Sequence, residues 1–368
     1  MELKILDTEF NLIAVIDYFD SLIWTRQYYC GGTFSLQLPA TKETLEVIKT
    51  EHIVYKNDED AGYIETIEIS VDESGNEIIK CVGKFLTYYI KRRIIYGKET
   101  IVGNIETSLR KLVDKNCITC ETSRVIPKLQ LGTVKGLTEV IERQVKYENL
   151  YDVISELCEV NQVGFKIKLD VRNKKLIFGF YKGLDRTVNQ NINTRTIFSK
   201  DFENILNETY TESLNGYKNT AYILGKDNKK ILVGEANGLN RYETFVDCEN
   251  TSSEKTETIY NSISGEYEET NVPLPAEEYN KLLKEEGLKK LNDCKEIKTF
   301  DANINLVSNS FIYKQDFDLG DLVTVKASNI GVVVNTRITE IEEVYEVGQI
   351  KINITFGNSI LKLLNKRK

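Results

Sequence analysis

Carboxylates are the residues whose type and spacing come nearest to a chemistry. Asp316, Asp318 and Asp321 fall close together, and Glu340, Glu342 and Glu343 follow them. A glycoside can be hydrolysed by two carboxyls without a histidine, one acting as acid and the other as base or nucleophile. Acidic runs at strand ends more commonly form solvated edges that block unwanted pairing, and these six residues read that way. His52 is the single histidine. Between Glu51 and Ile53, at a strand start, it reads as a surface or half-buried imidazole rather than a general base. A catalytic triad or a histidine metal site has no second member to draw on. Cys117-Ile118-Thr119-Cys120 is the one C-x-x-C. Zinc would want a second pair, and a redox site would want a strand before it and a helix after it. Neither glycine-rich phosphate loop occurs. The sequence nominates no catalytic, cofactor-binding or metal-binding residue and calls for no cofactor.

Composition narrows the class. With 368 residues the chain suits two or three domains, at about 100 to 200 residues each. Twenty Tyr, fourteen Phe and many Ile, Val and Thr favour pleated, half-buried surfaces. The net charge of −8, spread along the chain, leaves no basic face for specific nucleic-acid binding. An acidic wall around a pore would instead repel a phosphate backbone and let it slide. No apolar run reaches the length of a membrane span, and charges interrupt the N-terminal apolar stretch, so neither stable membrane insertion nor a signal peptide is expected. Synthesis in the cytosol follows. Seven scattered cysteines, an odd number, predict reduced and mostly buried thiols.

The periods predict a mainly β chain with an α/β insert. In residues 1–98, Phe34, Leu36 and Leu38 alternate, a short helical patch covers 41–49, and two strands flank the turn Asp72-Glu73-Ser74-Gly75-Asn76. The first of these, from Tyr63, is expected to put Tyr63, Glu65, Ile67 and Ile69 on one face. Residues 99–198 change period. Asn104 caps a helix bearing Ile105, Leu109, Leu112 and Val113, and Asn149 with Asp152 opens another bearing Leu150, Val153, Ile154, Leu157 and Cys158, with Gly164 as its stop. Phe165, Ile167 and Leu169 then alternate, while 137–147 fits helix or strand equally. Residues 199–368 return to strands. They include a polar hairpin or loop at 249–271 and a helix over 276–292 with a stripe of Tyr279, Leu282, Leu283 and Leu291, weakened by Gly287. Three closing strands follow, with Asn329 and Gly331 in the first turn and Gly348 in the second; a phase change between Ile338 and Ile341 predicts a bulge. The tail Lys362, Lys366, Arg367 and Lys368 reads as a solvated end.

Several motifs add a resemblance. Gly32-Thr33-Phe34-Ser35-Leu36, Gly62-Tyr63-Ile64-Glu65, Gly83-Lys84-Phe85-Leu86 and Arg92-Arg93-Ile94-Ile95 come first. Asp318-Leu319-Gly320-Asp321-Leu322-Val323-Thr324-Val325, Arg337-Ile338-Thr339-Glu340 and Ile354-Thr355-Phe356-Gly357 follow near the end. In order and spacing they resemble the siphovirus Gp37-like group of phage tail proteins, over nearly the whole chain, and through it the baseplate hub of T-even phages.

The resemblance implies two small β-barrel domains per subunit, at 1–98 and 199–368, around the α/β domain at 99–198. It implies a homotrimer whose paired barrels give a pseudo-six-fold ring under the tail tube, joining tube to tip or spike around the central channel. The implied neighbours are a distal tail or tube ring protein, a tape-measure protein, a spike or tip protein and a separate cell-wall hydrolase. The implied place is the tail tip or baseplate of a virion or phage-like particle, contractile or siphovirus-like, made and assembled in the bacterial host cytoplasm. The chain ends soon after Gly357, without a long hydrolase or fibre region, so a non-enzymatic role is expected. Two rivals remain. One is a tail-associated cell-wall hydrolase using the acids of 316–321, which needs a deep cleft. The other is a carbohydrate-binding adhesion module, which needs aromatics gathered in a groove.

Overall fold

The computed structural model describes residues 1–357 apart from 73, 262–265, 305–310, 328–331 and 347. The expected turn at Asn329 and Gly331, and the tail Lys362, Lys366, Arg367 and Lys368, lie outside the described residues. The chain divides into two compact units, one of residues 1–210 with 299–368 and one of residues 211–298. The block 199–368 is therefore shared between both.

A 13-stranded sheet organises the first unit. From one end its order is Ile205–Ser213, Ile297–Ile304, Gln349–Gly357, Val332–Glu346, Ser21–Gln27, Thr33–Pro39, Glu77–Phe85, Ala61–Val71, Ile53–Tyr55, Leu3–Leu6 and Leu12–Ile16. Leu322–Ala327 adds to Val332–Glu346, and Ile197–Ser199 pairs parallel with Leu322–Ala327. The two strand-rich blocks are thus stitched together where Ser21–Gln27 meets Val332–Glu346, from Glu340 opposite Gln27 to Glu346 opposite Ser21. The order is an open path, and no barrel closes among the described residues. The expected bulge is present, because Ile338 faces Phe356 while Glu340 faces Thr355, leaving Thr339 unmatched.

Burial on both faces of the N-terminal strands explains their mixed patterns. Trp24, Phe34, Leu36 and Ile64 belong to one core, whereas Tyr63 joins a second core formed with the middle of the chain. The expected common face of Tyr63, Glu65, Ile67 and Ile69 fails for a local reason. Ile64 pairs with Gly83 and Thr66 with Val82, so Glu65 is an inserted residue that reverses the phase, and Ile69 is 57 % exposed. Phe34 crosses its neighbours where side chains are missing: a Cβ on Gly83 would lie 2.3 Å from its ring, and one on Gly62 would lie 2.8 Å away. The motif glycines make room for that ring.

The helices form where caps and apolar spacing agree. Asn104 accepts from the Thr107 N–H and starts Ile105–Val113, which buries Ile105, Leu109, Leu112 and Val113. Asn149 accepts from Tyr151 and Asp152 and starts Leu150–Val160. Its stop is earlier than Gly164: Asn161 ends the helix, Gln162 takes a left-handed φ of 57°, and Gly164 already begins the strand Gly164–Asp170. The ambiguous 137–147 segment contains the strand Val140–Lys146, paired with Lys98–Asn104.

In the second unit, the helix Ala276–Asp293 covers the three-stranded sheet of Lys230–Val233, Thr220–Gly225 and Glu243–Cys248. Tyr279, Leu282 and Leu283 are buried as expected. Gly287 has a packing role, since a Cβ there would lie 2.6 Å from Ile223 Cδ1. The polar segment contains a hairpin, Glu254–Asn261 with Glu266–Pro273.

Candidate functional site

Alternation along Ser21–Gln27 turns Leu22, Trp24 and Arg26 inward, so a guanidinium follows two hydrophobic side chains into the first unit. An isolated buried charge would be costly, and Arg26 is met by carboxylates from two distant turns. Its Nε lies 3.3 Å from Asp60 Oδ1, and its Nη1 lies 2.7 Å from Asp318 Oδ1. Nη1 also donates to the Tyr313 hydroxyl at 2.9 Å, and that hydroxyl donates to Glu343 Oε1 at 2.9 Å. Glu343 is inward on Val332–Glu346, in phase with Ile341, and takes further contacts from Lys56 and the Tyr345 hydroxyl. Lys314 reaches Asp60 Oδ2 at 3.3 Å. Three cations thus face three carboxylates.

The electrostatics follow. Burial opposes ionisation of Asp60, but Arg26, Lys314 and Lys56 outweigh it and hold the carboxyl down to about 2. Burial likewise opposes the Glu343 charge, and Lys56 reverses the balance, leaving its pKa lowered. Burial depresses Lys56 despite its partner. A glycosidase acid needs a raised carboxyl pKa, and these two move the other way.

The acidic run does not converge on a cleft. Asp321 is 4 % exposed, accepts from the Leu184 and Asp318 N–H groups at 2.7 and 3.0 Å, and pairs with Arg186 Nε at 2.8 Å. Asp316 accepts from the Ile312 N–H at 2.8 Å, closing its own turn. Glu340 accepts from Gln27 and Glu342 from Asn353, each at 2.8 Å. Gly320 sits between the two aspartates at φ 92°, where a Cβ would lie 2.2 Å from the Tyr28 ring, and its carbonyl accepts from Arg337. The residues 318–321 and Arg337 that carried the family resemblance are a folded knot. Only Asp318 and Glu343 of the six acids share the Arg26 cluster.

Other candidates separate from it. His52 Nδ1 donates to the Val47 carbonyl at 2.8 Å. Cys117 is buried with its thiol pushed up to about 12 by burial, Cys120 is half-buried, and both are free. Among the described residues no group of three or more His, Cys, Asp and Glu side chains could hold a metal ion. No described helix is long and apolar enough to cross a membrane.

An open cleft of about 300 Å³ is lined by Glu51, Tyr63, Glu65, Lys84, Tyr88 and Arg92, several of them from the N-terminal motifs. Its aromatic surface is largely spent within the fold. Tyr63 stacks on Tyr89, and the Arg92 guanidinium lies 4.7 Å from both ring centroids while Glu51 holds it at 2.9 Å. Lys84 pairs with Glu65 at 2.7 Å. Sequence reasoning missed Arg26, Lys56, Asp60, Tyr313 and Lys314. A charge in phase with Leu22 and Trp24 was the readable sign for Arg26.

Comparison with known proteins places this geometry. No curated protein matches the chain. Three solved structures share its fold across nearly their whole lengths. The 43 kDa tail protein of prophage MuSo2 from Shewanella oneidensis is 13 % identical, with 97 % of this chain and 98 % of that one covered at a TM-score of 0.57. The tail protein from Neisseria meningitidis MC58 is 8 % identical, with 97 % and 96 % covered at 0.56. Prophage tail protein gp18 from Listeria monocytogenes EGD-e is 12 % identical, with 98 % and 95 % covered at 0.53. The family model described as Siphovirus ReqiPepy6 Gp37-like protein matches residues 2–358, and the chain belongs to that family.

Proposed function

We propose that the protein is a structural, non-enzymatic subunit of a phage-type tail tip or baseplate, a hub whose three copies form a pseudo-six-fold ring around a central channel. The observation that carries this reading is the fold shared end to end with three tail proteins, two of them from prophages. In this reading the strand-rich blocks 1–98 and 199–368 supply two barrel-like elements per subunit, with 99–198 between them. The ring joins tail tube to tip or spike, beside a tube ring protein, a tape-measure protein and a separate cell-wall hydrolase. A net charge of −8 suits a lumen that repels a phosphate backbone.

The chemistry of the acids supports a scaffold over a hydrolase. Asp318, Asp321 and Glu343 are engaged by Arg26, Arg186 and Lys56, which is the arrangement of a lock between segments. The cleft near Tyr63 has its ring faces covered by Arg92, which weighs against a sugar-stacking platform.

Electron microscopy with native mass tests the proposal. Three-fold rings with an open centre, at about three times 42.2 kDa, are the expected result. A protein that stays at one chain at every concentration, alone and with its tube ring, overturns it.

A further inference from the structure

One end of the 13-stranded sheet is undefended. Leu12–Ile16 pairs on one side with Leu3–Leu6 and is the terminal strand of the order. Its five residues carry no charge and no proline, Leu12 and Val15 are 57 % and 48 % exposed, and Tyr18 beside them is 60 % exposed. The opposite end, Ile205–Ser213, carries Asn207, Glu208 and Glu212, the usual protection against stray pairing. A bare apolar edge invites another strand.

The second unit has an edge of matching kind. Lys230–Val233 ends its three-stranded sheet. Leu232 pairs with Tyr222, and Tyr222 with Phe245, forming an exposed row on the face away from the helix, in which the Tyr222 hydroxyl accepts from Arg241 at 2.8 Å. Rows of this sort with a polar rim mark protein contacts. The rims differ in sign. Lys226, Lys229 and Lys230 outnumber Asp227 and Glu235 beside Lys230–Val233. Asp7, Glu9, Asp17 and Asp20 beside Leu12–Ile16 outnumber Lys4, which faces Val15 on the paired strand, Lys128, which reaches Glu9, and Lys174, which reaches Asn11.

We propose that strand Leu12–Ile16 of one copy docks against strand Lys230–Val233 of the next copy, apolar row to apolar row and acidic rim to basic rim. The contact uses different surfaces on its two sides, so each copy offers one of each, and repetition generates a ring when the rotation from copy to copy closes. The inference rests on the hub reading in requiring several copies, and it assigns the surface that joins them.

Charge reversal in the full chain tests it, read by native mass over a concentration series. Lys229→Glu with Lys230→Glu, and separately Asp17→Lys with Asp20→Lys, are each expected to raise the half-assembly concentration by about tenfold or more. All four changes together restore opposite signs and are expected to return it to within about threefold of the parent, which also shows that the variants fold. Assembly indifferent to both pairs overturns this surface and leaves the ring standing. A parent that never assembles overturns both. Loss of binding to a different tail protein, with self-assembly unchanged, also overturns the pairing of copies.

Discussion

The Arg26 guanidinium and the Asp318 carboxylate, 292 positions apart in the chain, meet at 2.7 Å. Arg26 also holds Asp60, whose side chain is only 2 % exposed, so the cation answers for a charge that has left water. Removing one partner of such a cluster strands the other. Arg26→Met is expected to lower unfolding free energy by about 3–5 kcal/mol at neutral pH, read from urea unfolding. A loss below about 1 kcal/mol would mean that water already solvates Asp60.

The same carboxylate predicts an acid dependence. Asp60 falls from 3.8 to about 2 on folding, so the folded state resists protonation more than the unfolded chain. Its contribution is present above about pH 4 and is lost as pH falls towards 2, a slope of up to about 1.4 kcal/mol per pH unit. Asp60→Asn should flatten stability against pH within that window, measured by denaturant titration at several pH values. An unchanged slope would assign the acid sensitivity to other groups.

Gly83 predicts a packing cost. A methyl there would sit 2.3 Å from both the Phe34 ring and the Tyr63 carbonyl oxygen. Gly83→Ala is expected to destabilise by about 1–3 kcal/mol. Adding Phe34→Leu should recover part of the loss, because it relieves the ring contact but leaves the backbone one. Thermal melts of the three proteins decide it, and a neutral Gly83→Ala would show that the strands can separate there at little cost.

Legibility followed regularity. Helix caps at Asn104 and Asn149 and the bulge before Glu340 stood in the sequence because each has a local signature. The inserted Glu65 left none, since one extra residue in a strand of mixed polarity looks like ordinary alternation until its partner strand is known. The Arg26 cluster was half readable. Arg26 and Glu343 fall in phase with buried neighbours, but Asp60 and Tyr313 come from turns, which have no period to betray an inward side chain. Gly287 read as a weakness in isolation because its benefit lies in Ile223, on another element.

Thiol reactivity checks the C-x-x-C. With its pKa pushed up to about 12 by burial, Cys117 carries almost no thiolate at pH 8, whereas Cys120 is half-buried. Alkylation at pH 8 followed by peptide mass spectrometry should label Cys120 first and Cys117 only in denaturant. Rapid labelling of Cys117, or a disulfide between the two, would revive a redox role.

Asp321 separates scaffold from hydrolase most directly. It accepts two backbone N–H groups and pairs with Arg186, so an amide in its place turns donors towards donors and leaves the guanidinium without its counter-charge. Asp321→Asn is expected to lower stability by about 2–3 kcal/mol and to weaken assembly in step. Asp318 is less buried, its side chain 41 % exposed, and the Asp318→Asn change should cost less. A scaffold loses stability in that order and has no turnover to lose. The hydrolase reading demands another pattern: parent protein that releases soluble fragments from peptidoglycan, and an Asp321→Asn variant that unfolds like the parent yet releases none.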